Sequence, residues 1–259
     1  MKQFLTMLLL GAVLAAPALA EVQTEAVTYK DGDTELEGFL AFDDSKEGAQ
    51  PAVLIVHEWW GLTQHAKDSA EKLAGLGYTA FALDMYGKGK YTDDPAQAKE
   101  WSSAIKSDHV KMIKRLKAGM DVVRTNEHAN EDRMAAIGYC FGGSMVLEMA
   151  RLGFAFEGVV SFHGGLASTL PDEVDPNLTP SILVCHGGDD PFVSAEEVSA
   201  FKQEMRDNNA NWQFITYGNA VHSFTNPAAD GALSGAKYDE TAAKRSWEHM
   251  KQFFNEIFE

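Results

Sequence analysis

The strongest constraint on this chain is a series of short, solidly apolar runs, each followed by a stretch with helical spacing. PAVLIVHEWWG (51–61), YTAFALDMYG (78–87), RMAAIGYC (133–140), FEGVVSFHGG (156–165) and PSILVCHGG (180–188) read as strands apolar on both faces. Such runs suit strands covered by helices on two sides, as in parallel sheets. NWQFITYG (211–218) is a further strand. The helical stretches are HAKDSAEKLAGLG (65–77), a long region from Pro95 to about Arg124, GGSMVLEMARLG (142–153), AEEVSAFKQEMRDNN (195–209) and the closing segment 236–258. The opening segment 22–44 alternates polar and apolar residues around Lys30-Asp31-Gly32, which reads as a hairpin. Strands alternating with helices predict an α/β fold, a doubly wound, mostly parallel sheet with helices on both faces.

In open α/β sheets, ligands bind beyond the carboxyl ends of the strands. The predicted ends carry His57-Glu58, Asp84, Cys140, His163, Cys185-His186, Asp189-Asp190 and, after a short loop, His222. Gly138-Tyr139-Cys140-Phe141-Gly142 is a thiol version of the nucleophile elbow. The turn exposes the central side chain and aims a helix N-terminus at it, and its flanks must be small to avoid clashes. The helix dipole and free N–H groups there favour a thiolate and a developing oxyanion. A thiolate nucleophile needs a base and an orienting acid. HGGDDPFV supplies two candidate acids, Asp189 and Asp190, and the G-x-x-D-P spacing from Gly187 selects Asp190. YGNAVHSF supplies His222, with His163 as its rival. The order Cys140, Asp190, His222 is the nucleophile–acid–histidine order of α/β-hydrolases. His57-Glu58 lacks the second histidine of H-E-x-x-H, so a zinc-protease reading fails, and no metal site is expected. Neither a P-loop nor a dinucleotide fingerprint is present.

From about Val22 to the C-terminus the chain resembles the dienelactone hydrolase family. The residues that carry the resemblance are His57 to Leu62, Asp84-Met85-Tyr86, Gly138 to Gly143, Gly187 to Val193 and His222-Ser223-Phe224. It implies an α/β-hydrolase fold, Cys140 as nucleophile, His222 as base and acid, and Asp190 as its partner. It further implies an oxyanion hole from the N–H groups of Phe141 and Trp59, a pocket wall from Trp59 and Trp60, and no cofactor. Glu58 is implied to hold the resting cysteine as a neutral thiol until substrate arrives. Dienelactone-cleaving members hold the substrate carboxylate with two arginines, and here those places carry Lys88 and Asn226. Lys88 could act as a point charge, not as a bidentate fork, and Asn226 brings no charge.

The first twenty residues, MKQFLTMLLLGAVLAAPALA, have a positive start, a short apolar core and a small-x-small site at Ala18-Leu19-Ala20. They read as an export leader cleaved before Glu21, which leaves residues 21–259 as one domain in the periplasm with no membrane span. The formal net charge of −16 argues against nucleic-acid binding. The two cysteines, Cys140 and Cys185, should stay unpaired, because the topology puts another strand between them. A monomer hydrolysing a small ester or lactone through a thioester is expected. The alternatives are a thioesterase or acyl hydrolase with the same triad, and a non-catalytic binding protein on a hydrolase scaffold.

Overall fold

The computed structural model describes residues 22–171 and 178–259. The expected leader, residues 1–20, lies outside the described residues. β1 (Val22–Asp31) and β2 (Thr34–Asp43) form the expected antiparallel hairpin, turning at Gly32-Asp33. β3 (Gln50–Val56), β4 (Thr79–Leu83), β5 (Ala129–Tyr139), β6 (Gly158–Phe162), β7 (Ser181–Gly187) and β8 (Trp212–Tyr217) complete one eight-stranded sheet. The strand order is β1-β2-β4-β3-β5-β6-β7-β8. β2 pairs antiparallel with β4, and every pairing from β4 to β8 is parallel.

Alternate residues of the buried strands feed two separate cores. Val53, Ile55, Ala80, Ala82, Ala135 and Ile137 pack against α1 (Gln64–Gly75) and α6 (Glu240–Ile257). Leu54, Val56, Phe81, Leu83 and Ala136 face the other way. There they meet α3 (His109–Arg124), α4 (Phe141–Arg151) and α5 (Ala195–Asp207). Burying one such side chain is worth about 1.5–3 kcal/mol, so a strand apolar on both faces commits the sheet to a middle layer. Among the described residues no helix is long and apolar enough to cross a membrane.

Two expected boundaries move. The long helical region is two helices, α2 (Pro95–Lys106) and α3, because Asp108 caps a new start by accepting from Lys111 N–H at 3.0 Å. α6 begins at Glu240 rather than Ala236, because Asp239 caps it and Ala236 bridges to His222. From β3 the chain runs to β4 on one side and then crosses back past β3 to β5 on the other. That switch point opens a crevice beyond the ends of β3 and β5. Gly142 stands at its floor, where a Cβ would run into the Val56 carbonyl, and a Cβ on Gly138 would run into the Gly142 carbonyl. These contacts are the physical reason for glycine on both sides of Cys140.

Candidate active site

Cys140 follows β5 and caps α4 with φ +54° and ψ −114°, a strained conformation for a residue other than glycine. Such a residue costs roughly 1–3 kcal/mol, which the surrounding contacts must supply. Its Sγ lies 2.9 Å from His222 Nε2. His222 Nδ1 lies 2.8 Å from Asp190 Oδ2. The other Asp190 oxygen accepts the Phe192 N–H at 2.9 Å, so the carboxylate is aimed from both ends. His222 is itself clamped, its N–H donating to the Gly235 carbonyl and its carbonyl accepting from Lys237 N–H. Cys140, His222 and Asp190, distant in the chain, thus stand in one line of contacts. Asp189, the competing acid, is exposed. Burial works against a charged His222, but the Cys140 thiolate and the Asp190 carboxylate outweigh it and raise the imidazole from 6.5 to about 10.

Among the described residues, neither the Trp59 N–H nor the Phe141 N–H has an acceptor. Both residues line the cavity at Cys140. The peptide that carries the Trp59 N–H is held by its carbonyl, that of Glu58. Met85 N–H donates to His57 Nε2 at 3.2 Å, so the proton of this neutral ring sits on Nδ1 and points at the Glu58 carbonyl. Gly61 N–H donates to the same oxygen at 3.2 Å. His57 is fully buried, which lowers its pKa and keeps the ring neutral. Tyr86 OH donates to the next carbonyl, that of Trp59, at 3.0 Å. With both flanking carbonyls fixed, the Trp59 N–H is preorganised as a donor.

Glu58 is buried, and Asn226 Nδ2 donates to its Oε2 at 2.5 Å. His65 Nδ1 lies 3.6 Å from the same oxygen, an ion-pair distance rather than a hydrogen bond. Burial favours the neutral acid, but His65, Asn226 and the His222 charge outweigh it and hold the carboxyl below its usual range. Among the described residues its Oε1 has no partner. Glu58 makes no hydrogen bond to Cys140, whose thiol faces His222 instead.

Lys88 is a correction. The structure turns it onto the hairpin, with Nζ 3.2 Å from Glu35 and 3.1 Å from Glu37, and it does not line the cavity at Cys140. Both carboxylates favour its charged form. Lys106, at the end of α2, does line this cavity, and the sequence did not single it out. The cavity holds about 280 Å³ and is walled by Trp59, Ser102, Phe141, Phe192 and Leu233. Trp60 walls a neighbouring cavity of about 550 Å³, together with His65, Asp93, Asn226 and Asp230. Ser223 and Leu233 belong to both. Cys185 is buried and free, its thiol pushed up to about 12 by burial. β6 lies between β5 and β7, so the two cysteines are separated as expected.

Also missed was the support of the loop after β6. Arg151 on α4 donates to the Leu166 carbonyl at 2.7 Å and pairs with Glu148 and Glu204. Glu197 accepts the Leu166 and Ala167 N–H groups. These groups, of which Arg151 and Glu148 are buried, fix the loop that presents Gly165 to the cavity.

Comparison with known proteins gives one family. The model of the dienelactone hydrolase family matches residues 36–258. A protein from Aquifex aeolicus assigned as a carboxymethylenebutenolidase is 26% identical over 235 residues, covering 89% of this chain and 97% of its own length. An uncharacterized protein from Caenorhabditis elegans is 40% identical over 153 residues, covering 57% of this chain and 95% of its own length. The crystal structure of a dienelactone hydrolase-like promiscuous phosphotriesterase from metagenomic libraries superposes with a TM-score of 0.87 at 38% identity. That match covers 91% of this chain and 98% of the other.

Proposed function

The chain belongs to the dienelactone hydrolase family, and from that premise we propose that it cleaves small esters or lactones through a thioester on Cys140. The observation that carries this reading is the line from Cys140 Sγ to His222 at 2.9 Å and on to Asp190 at 2.8 Å, beside two free N–H groups. In this mechanism Sγ attacks the carbonyl carbon, and the oxygen takes the charge on the Phe141 and Trp59 N–H groups. The C–O bond to the leaving group then breaks, and His222 gives that oxygen its Nε2 proton. Acylation removes the thiolate that raised His222, so the imidazole falls toward its ordinary pKa and can take a proton from water. Water adds to the thioester, the C–S bond breaks, the acid leaves, and Cys140 is regenerated beside the proton His222 took from water.

Lys88 and Asn226, at the places of the family's two arginines, give no preference for a carboxylate substrate over a neutral one. Lys88 is engaged by two carboxylates and Asn226 by Glu58. Lys88→Ala should therefore leave kcat/KM within about twofold for neutral and anionic esters alike, as surface changes usually do. A rise in KM confined to a carboxylate-bearing lactone would overturn this reading. The test of the whole reading is intact-protein mass spectrometry after mixing with a panel of lactones, aryl esters and thioesters. An acyl mass on Cys140 is expected, and steady turnover with an acyl group elsewhere would reject it. A phosphotriester belongs in the panel because of the activity named for the 38%-identical structure.

Glu58 is assigned the thiol gate on its buried carboxylate with an unpartnered Oε1; because Sγ here faces His222, the gate requires the thiol to turn from His222 to Glu58 in the resting state. Glu58→Gln should speed iodoacetamide alkylation of Cys140 at neutral pH, because it removes an anion that disfavours a second one. Ester turnover should fall. Alkylation at the wild-type rate would remove Glu58 from the mechanism. Export to the periplasm is part of the same reading and rests on the leader-like residues 1–20. The N-terminal mass of protein from a periplasmic fraction should correspond to a start at Glu21.

A further inference from the structure

We propose that His163 is a positioning residue, a neutral strut that ties the Cys140 elbow to the His222 loop and sets the thiol–imidazole geometry. The inference rests on the nucleophile reading above. His163 follows β6 and is fully buried, with φ +40°. Its own N–H donates to the Cys185 carbonyl at 2.9 Å, fixing its backbone to β7. Its Nδ1 lies 3.1 Å from the Cys140 backbone nitrogen and accepts that N–H, which also reaches the Phe162 carbonyl at 3.0 Å. Its Nε2 lies 2.7 Å from Thr225 Oγ1. Thr225 is three residues after His222 in the same loop.

The first bond decides the tautomer. A ring nitrogen that accepts an N–H carries no proton, so the hydrogen of neutral His163 is on Nε2 and donates to the Thr225 hydroxyl. Each end of one rigid ring therefore holds one of the two segments that bear the reacting groups. The ring also packs edge-on against His222, with centroids 5.2 Å apart, and against Phe224 at 5.1 Å. The titratable groups around it are Cys140, Cys185, His65, His222 and Tyr139, whose ring packs against it at 6.1 Å. Burial and the charges of His222 and His65 hold its pKa well below 6.5. A protonated His163 could not accept from Cys140, and it would repel the imidazolium beside it.

This role differs from the one for which the sequence made His163 a rival to His222. Its ring addresses the Cys140 backbone, not the sulfur. The side chain that replaces it must accept at one edge and donate at the opposite edge. Asparagine can accept from the elbow but is too short to reach Thr225 as well. Thr225→Val removes the far partner while leaving His163 and the elbow bond in place.

His163→Asn and Thr225→Val should each lower kcat roughly 10–100-fold with KM within about twofold, as small misplacements of reacting groups do. Iodoacetamide alkylation of Cys140 at neutral pH should slow in parallel, and the acid limb of its rate profile should move to higher pH. The double variant should lose no more than His163→Asn alone, because both changes cut the same link. A residue needed only for folding would lower the melting temperature without moving the alkylation profile of the folded protein. Unchanged alkylation and kcat in folded Thr225→Val would overturn the proposal, as would multiplicative losses in the double variant. If His163→Asn does not fold, Thr225→Val decides alone. Failure of the nucleophile reading is separately visible, as wild-type turnover without an acyl group on Cys140.

Discussion

Cys140→Ala is expected to reduce ester turnover by on the order of 10⁴-fold or more, because it removes the atom that forms the thioester. The elbow should survive, since its geometry is set by backbone contacts of Gly138 and Gly142 and by the bonds to the Cys140 N–H, none of which involves sulfur. A second result should accompany the first. His222 stands at about 10 with the Cys140 thiolate as the largest influence raising it. Without that anion, burial opposes the charged ring and only Asp190 supports it. The imidazole midpoint, followed by NMR in Cys140→Ala, should therefore fall well below about 10. The sign matters for mechanism, because a deacylation base must be neutral near neutral pH, when the sulfur is acylated and no longer charged. Turnover near the wild-type rate in the variant would end the thioester mechanism. A midpoint that stays near 10 would mean that something other than the thiolate holds the proton.

The sheet was legible because a strand buried on both faces must be apolar at every position, and Pro51–Val56 and Thr79–Leu83 are nearly so. The elbow was legible because its constraints are local: glycines two residues either side of Cys140, then a helix. Asp190 and His222 followed from chain order along the strand ends. What escaped were contacts between segments remote in sequence. Lys88 sits where the family pattern predicts a substrate contact, but the register of the β1–β2 hairpin brings Glu35 and Glu37 to it instead. Asn226 looked like a lost charge, and only the fold shows it donating to Glu58 across 168 residues. Trp59 and Trp60 are neighbours in sequence yet serve different cavities. His163 could be placed at a strand end, but its ring turns beneath the elbow only because β6 lies beside β5. The division of α2 from α3 did have a local signal in Asp108, outweighed by the continuous helical spacing around it.

Asp190→Asn should cost about 10⁴-fold in kcat, while Asp189→Asn should stay within about twofold. The two carboxylates are adjacent, so composition, net charge and local chain stiffness change alike in both variants. Their contacts do not. Asp190 is buried, with Oδ2 receiving the His222 Nδ1 proton and Oδ1 receiving the Phe192 N–H. An asparagine there can keep its carbonyl on Phe192, and the amide NH₂ then faces Nδ1. That nitrogen must become the acceptor, which moves the ring proton to Nε2. A neutral ring protonated at Nε2 cannot take a proton from the Cys140 thiol or from water, although the atoms stand where they stood before. The loss should appear in kcat with KM little changed, and alkylation of Cys140 should slow with it. Asp189 has no such coupling: its side chain is exposed, and what holds it is a backbone bond from its N–H to the Ala220 carbonyl at 2.9 Å. Nitrogen-15 shifts of His222, read in a Cys140→Ala background above the ring's midpoint where it is neutral, would report the tautomer directly, with the proton on Nδ1 in Asp189→Asn and on Nε2 in Asp190→Asn. Equal losses in the two variants, or an unchanged tautomer in Asp190→Asn, would show that the short contact between Asp190 and His222 does not orient the ring.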